Sequence, residues 1–335
     1  NQFINNLNDL RKEFNLHPYW ESYQPSASTF HANGFAISNS IRDDKSIIMN
    51  INRRKLALKA FQLSINSKKN SSAYTGLGWS LLLEGEIDLS IKAFKDSVHF
   101  NKSWYCYNGL GWAYYSKNNI QESNVAFKNS IELKEEWNSY FGLGQTLYKT
   151  GNYSRAGDAY NRSIRHKENW ISYRMLGWCL KHTNQTKEAI CIFKKGLDLQ
   201  ENWDIYQGIG QAFQALGKNH EASIAFRKSL ALLKNDPRGE RARAYESLGL
   251  SLSIINRLSE AIDNMNKAIL LMNDTNNKHI SNYEKLNLSN IYTALGWTAL
   301  KKNEILLATK SFQKAIYHNK TWNNLQGIAW SYIQQ

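Results

Sequence analysis

The chain has 335 residues, 42% of them hydrophobic, with only three prolines and a mean hydropathy of −0.55, which fits a water-soluble, mostly helical chain with ample material for a core. Its longest apolar runs, such as Trp79–Leu83, are far shorter than the about 20 residues a bilayer demands, so no membrane span is expected. The net charge of +14 would suit an acidic partner, but the basic residues are spread along the whole chain with one local cluster, Arg53, Arg54, Lys55 and Lys59; a solvated outer face is the simpler reading, and nucleic-acid binding is disfavoured. In chain order, residues 1–45 carry Pro18, Pro25 and a Ser-rich stretch and show no periodicity, so they are expected to form an irregular N-terminal cap or arm. Residues 46–335 are different.

The phrase Leu-Gly-Trp sets a register over that stretch. Its glycine stands at Gly78, Gly111, Gly144, Gly177 and Gly210, each 33 residues after the last, then at Gly249 and Gly296 after 39 and 47. A further 33 residues lead to Ala329. A fixed period of that length marks a stack of supersecondary units. Leu56–Ser64 reads as the second helix of an imperfect first unit, because Phe61 lies 17 before Gly78 just as Phe94 lies 17 before Gly111.

Other positions keep step with the reference glycine. Four before it stands Tyr74, Tyr107, Tyr140, Tyr173, Tyr206, Tyr245 or Tyr292. Seven after it stands Gly85, Asn118, Gly151, Asn184, Gly217, Asn256 or Asn303, the two residue types that most readily take the left-handed conformation ending a helix. Small residues come twelve and nineteen after it, as at Ala156 and Ser130. Between them, sixteen after, is a large one: Phe94, Phe127, Tyr160, Phe193, Phe226, Met265 or Phe312. Tyr107, Leu110, Gly111 and Tyr114 share one helical stripe, and Ser123, Phe127, Ser130 and Ile131 make the facing one. Each helix pair leaves apolar surface on both sides and must stack on neighbours. Thr321–Gln335 reads as a first helix, and the longer spacings near Lys234–Arg243 and Met272–Leu288 read as polar surface loops.

This small–large–small pattern, with Leu-Gly in the first helix and Ala, Phe, Ala in the second, resembles the tetratricopeptide repeat over roughly residues 50–335. The resemblance implies an all-α fold, an α-solenoid in the form of a right-handed superhelix, with about seven full repeats and partial terminal units. The chain departs from the family in a period one residue short of 34, in Tyr where Trp is common, and in lacking proline after the second helix. Trp104, Trp137, Trp170, Trp203 and Trp322 stand near that junction and are expected to plug the joints between repeats.

In that family the first helices line a concave groove that holds ligands. The resemblance places Trp79, Trp112, Gln145, Trp178, Gln211 and Trp297 on the inner face, one after the reference glycine. Tyr115, Tyr148 and Lys181 follow four after, Lys149 and His182 five after, and Asn108, Phe141, Arg174 and Gln207 three before. The aromatic members suit apolar side chains, the amides suit an extended peptide backbone, and Arg174, Lys181, Lys149 and His182 suit an acidic group. The Lys and Asn set of the family's carboxylate-clamping sub-type is not reproduced, since Thr75, Trp79, Asn108 and Trp112 occupy those places.

Chemistry beyond binding finds little support. Gly76-Leu77-Gly78 and its kin sit mid-helix and lack the strand–loop–helix context of a dinucleotide site. No nucleophile elbow or phosphate loop occurs, and the eight histidines, His99, His166 and His318 among them, show no metal-ligand spacing. Cys106, Cys179 and Cys191 are too scattered for a disulfide framework, and no signal pattern opens the chain, so a reducing, cytoplasmic setting is expected. The reading is a non-enzymatic interaction scaffold without cofactor or metal, whose partner is a protein or peptide, an acidic segment included. The alternative is the N-terminal recognition arm of a larger enzyme such as a glycosyl- or sulfotransferase.

Overall fold

Helices alternate with tight turns wherever the 33-residue spacing holds. The computed structural model of the chain describes residues 69–233, 238–273 and 282–334, preceded by Leu58, Phe61, Gln62, Ser64, Ile65 and Asn66. The expected N-terminal cap at 1–45 lies outside them. The helices pair in order: α1 (Ser71–Glu84) with α2 (Ile87–Phe100), α3 (Trp104–Ser116) with α4 (Ile120–Leu133), and α5 (Trp137–Lys149) with α6 (Tyr153–His166). Then come α7 (Trp170–His182) with α8 (Thr186–Leu199), α9 (Trp203–Ala215) with α10 (Asn219–Leu232), and α11 (Arg238–Ile254) with α12 (Leu258–Asn273). Last are α13 (Asn282–Lys301) with α14 (Ile305–His318), and α15 (Trp322–Ile333). No strand occurs among the described residues, and the fold class is an all-α solenoid. No helix among them is long and apolar enough to cross a membrane. The chain divides into two compact units, one up to Ser172 and one from Tyr173.

Local chemistry sets the helix ends. Where it is Ser, Asn or Thr, the residue before the leading tryptophan caps the first helix: Ser103 Oγ accepts from the Cys106 amide, Asn202 Oδ1 from those of Asp204 and Ile205, and Thr321 Oγ1 from that of Asn324. Each turn inside a repeat closes on positive φ, from 60° at Asn184 to 83° at Gly85, in all seven residues that the sequence marked. The tryptophans at the helix starts are not sealed plugs. Trp104, Trp137, Trp170 and Trp203 are half-buried and Trp322 is exposed, because each occupies the outermost turn of its helix. Lys134 and Lys167 instead cover the rings of Trp104 and Trp137, at 5.3 and 5.5 Å.

The core is a series of aromatic rings clamped between glycines. In the first unit the fully buried Phe94 lies against Gly78 of its own repeat and Gly109 of the next. Phe127 repeats this between Gly111 and Gly142, and Tyr160 meets Gly144. In the second unit Phe193 lies between Gly177 and Gly208, and Phe312 between Gly296 and Gly327, while Phe226 meets Gly210 and Met265 meets Gly249. The small residues contribute hydrogen bonds as well as space. Ser90 and Ser123 donate to the carbonyls of Gly78 and Gly111 at 2.7 and 2.8 Å, and Ser130 and Ser229 to those of Trp104 and Trp203 at 2.7 and 2.9 Å. Those bonds leave the serines satisfied at full burial.

The longer spacings do not produce loops throughout. α11 has 17 residues and α13 has 20, against 13 in α3, α5, α7 and α9. Residues 238–243 and 282–288 are therefore helical and lengthen first helices, which corrects the loop reading there; Met272 and Asn273 end α12, and residues 234–237 and 274–281 lie outside the described residues. The helix formers Glu240, Arg241, Ala242, Glu284, Lys285 and Leu286 continue the pattern backwards, and Leu288, 1% exposed, anchors the longer extension in the core cluster of Met265, Ile269 and Ile291.

Two predictions follow from packing and burial. A Cβ on Gly111 would sit 2.8 Å from the Phe127 ring, and one on Gly142 closer still. Alanine gains about 1 kcal/mol of helix propensity, whereas overpacking costs about 1–3 kcal/mol. Gly142→Ala should therefore lower the urea unfolding midpoint, and restoring it in Gly142→Ala/Phe127→Leu would identify the clamp as the cause. Glu246 on α11 is half-buried, and burial pushes its carboxyl up to about 7 against the pull of Arg243. A raised acid pKa makes the folded state bind its proton more tightly, so stability is lost as pH climbs from about 4.5 through about 7. Glu246→Gln should raise the thermal midpoint at pH 8 and leave it unchanged near pH 4, below both values.

Candidate functional site

The first helices place the expected groove residues in two distinct settings. In the first unit several are packing residues. Trp79 and Trp112 are 4% and 5% exposed and set their indoles edge-on against Phe94 and Phe127, with ring centroids 5.3 and 5.2 Å apart. Phe141, 7% exposed, lies 6.1 Å from Trp112 and 5.6 Å from Tyr160. Asn108 is fully buried and donates from Nδ2 to Ser139 Oγ at 3.1 Å. The expectation that these four are exposed is corrected: glycine at the clamp draws successive first helices close, and the neighbour covers them. Tyr115, Gln145 and Tyr148 stay half-buried and Lys149 is exposed. The Lys149 ammonium stands 4.9 Å above the Tyr115 ring, whose phenol is pushed up by burial.

In the second unit polar residues converge. Arg174 Nη1 donates to Asp204 Oδ2 at 2.9 Å, and Trp178 Nε1 reaches the same oxygen at 3.3 Å. That carboxylate neutralises Arg174, so the guanidinium is not the open cation that the sequence suggested. Lys181 lies one turn further along α7. Its Nζ donates to Gln211 Oε1 and sits 4.9 Å from the Trp178 ring centroid, and desolvation lowers its pKa. His182 beside it is exposed and also lowered, first by desolvation and then by Lys181. Gln207, expected in the groove, is only 7% exposed, with Nε2 bonding Ser247 Oγ at 3.4 Å, because the next first helix covers it. Trp297 is half-buried, its ring edge-on to Phe312 at 5.2 Å and its Nε1 donating to Asn323 Oδ1 at 3.1 Å.

The position six before the reference glycine also faces inward by the family's pattern, but sequence reasoning did not single out Asp204 and Asn323 there. Both stand six before their reference position, each taking the indole N–H of the tryptophan one repeat earlier. A signal was available: an acid or amide 26 residues after a groove tryptophan is in reach of it. Among the described residues no group of three or more His, Cys, Asp or Glu is placed to hold a metal ion.

Family models described as tetratricopeptide repeat match residues 108–170 and 204–235. Comparison with curated proteins finds no match. Among solved structures, a chain of the APC/C hetero-tetramer Cut9–Hcn1 is similar at 17% identity and a TM-score of 0.57, over 90% of this chain and 59% of that one. This chain thus spans less than two thirds of that relative's length. The C-terminal part of a TPR repeat-containing protein from Cytophaga hutchinsonii aligns at 15% identity and a TM-score of 0.58, over 76% of this chain and 99% of that one. A tetratricopeptide repeat protein from Parabacteroides merdae aligns at 12% and 0.52, over 78% and 98%. At such identities the likeness is one of fold. Helix pairs in register with the repeating glycine, rings seated between glycines, and these matches agree: the chain is a tetratricopeptide repeat protein.

Proposed function

We propose that the chain is a protein-interaction scaffold that holds an extended partner segment against its first helices, with an acidic group of the partner beside Lys181. The observation that carries this reading is the setting of that lysine. Its ammonium is partly desolvated, bonds a neutral amide, and lies over an indole, while the nearby Arg174 already has its carboxylate in Asp204. A cation that has lost hydration without gaining an anion is a site where an incoming carboxylate restores what burial removed. Gln211 and Gln214 on α9 add half-buried amides suited to a peptide backbone, although Gln214 already donates to Ser251 Oγ at 2.8 Å. In the first unit Tyr115, Gln145, Tyr148 and Lys149 offer the same mixture of ring, amide and cation.

Capture from an extract of the source cell, compared between wild type, Lys181→Glu and Lys181→Met, tests the reading. A partner held by wild type should fall at least about tenfold in both variants, with helicity unchanged because Lys181 reaches only Gln211 and the outer face of Trp178. Nuclease treatment should leave capture intact. Equal retention by all three proteins would sink the proposal.

A further inference from the structure

The second helices of the second unit carry a cleft that the first-helix surface does not explain. It opens between α12 and α14, encloses about 400 Å³, and has Tyr292 and Leu295 of α13 among its lining residues. Ile269 and Leu295, 8% and 2% exposed, give it an apolar floor together with the half-buried Leu307. Lys310 and Lys314 stand at its rim, and Tyr317, 87% exposed, stands beside them. A volume of this size falls within the range of about 300–1,000 Å³ usual for ligand clefts.

The preceding groove, between α10 and α12, shows what is different. There Arg227 and Glu260 form an ion pair of 2.5 Å from one second helix to the next, and Arg257 also holds Glu260. The same two repeat positions in the α12–α14 cleft are Asn266 and Leu307, which cannot form that strut. The charge pattern changes as well. On α12, Asp263 and Lys267 neutralise one another at 2.6 Å across one helical turn. Their counterparts on α14 are Lys310 and Lys314, two like charges four residues apart, an arrangement that weakens a helix. Among the described residues neither lysine enters an ion pair. Lys314 lies 5.3 Å from the Tyr292 ring centroid, and that ring stacks on His318 at 5.8 Å, so the cation is held at the cleft rather than directed away from it.

We propose that this cleft is a second docking site, for a peptide segment of a partner protein carrying one bulky apolar side chain next to two or more carboxylates. The apolar side chain covers Ile269, Leu295 and Leu307, and the carboxylates meet Lys310 and Lys314. Charge complementarity selects this occupant: a second copy of a chain with net charge +14 brings more like charge to a rim already bearing two unpaired lysines.

The test uses a displayed library of random dodecapeptides selected on the full chain. Survivors are then measured on wild type, Lys310→Glu/Lys314→Glu, Lys228→Glu as a control on α10, and Lys181→Glu as a control on the first-helix surface. The proposal expects a class of survivors that combine Leu or Phe with neighbouring Asp or Glu. That class should lose at least about tenfold in affinity on the double variant and bind both controls as well as wild type. Leu307→Asp should abolish the same class, and circular dichroism should show unchanged helicity for every variant. The proposal is overturned if no such class emerges, if its members bind the double variant undiminished, or if Lys228→Glu weakens them equally, which would mark diffuse attraction to a basic surface. Loss only with Lys181→Glu would assign the peptides to the first-helix site and likewise remove this one.

Discussion

An aromatic ring held between two glycines of consecutive first helices is the contact on which the array rests. Phe94, Phe127, Phe193 and Phe312 are each wholly buried and each occupy space that any Cβ on the flanking glycines would take. One ring thereby ties a second helix to its own partner and to the next repeat at once. The free energy gained is mainly that of removing the ring from water, about 1.5–3 kcal/mol per side chain, and it comes without the strain of a bulky neighbour. Glycine in mid-helix costs about 1 kcal/mol, so the two glycines of a clamp give up about 2 kcal/mol of propensity, an amount the buried ring offsets.

That closeness decides what the first-helix surface can offer. With backbones drawn together at the glycines, the burial of an indole one residue further on is decided by what the next first helix sets against it, Tyr105 for Trp79 and Phe141 for Trp112. Trp79 and Trp112 lie edge-on against phenylalanines and become part of the core. In the second unit Trp178 and Trp297 also lie edge-on against phenylalanines but meet polar residues on the following repeat, bonding Asp204 and Asn323. The polar residues that remain accessible there are those near the end of α7 and along α9, so that Lys181 and Gln211 stay half-buried while Gln207, one turn earlier on α9, is covered.

Most of the architecture was legible because it repeats. The 33-residue spacing placed the helices, and Gly or Asn seven after the reference glycine placed turns that all proved left-handed. Leucine, tyrosine and the small residues fell on the faces their periodicity indicated. Two things escaped that reasoning. Spacing tells which face of a helix a side chain occupies but not how near the next helix comes, so burial of Asn108, Phe141 and Gln207 was missed. Nor does added length say whether it is loop: polar residues such as Glu284 and Lys285 suit a surface turn and a surface helix equally, and only the burial of Leu288 decides for helix. The pairing of Arg174 with Asp204 was hidden for a similar reason, since partners 30 residues apart meet only through the stacking of repeats.

The clamp also bears on how such a chain can change by duplication and recombination. Two before the reference position stands another glycine in Gly109, Gly142, Gly208 and Gly327, but Met175 follows the repeat of Tyr160, Ser247 that of Phe226, and Ala294 that of Met265. Methionine bends where a phenyl ring cannot, and Met265 shares one core cluster with Ala294. Each repeat therefore carries half of a lock whose other half belongs to its successor. Junctions with glycine on both sides of the ring, as at Phe94 and Phe127, are therefore not equivalent to those at Tyr160, Phe226 and Met265, whose successors carry Met175, Ser247 and Ala294. The repeats are thus matched to their neighbours junction by junction rather than built as interchangeable modules.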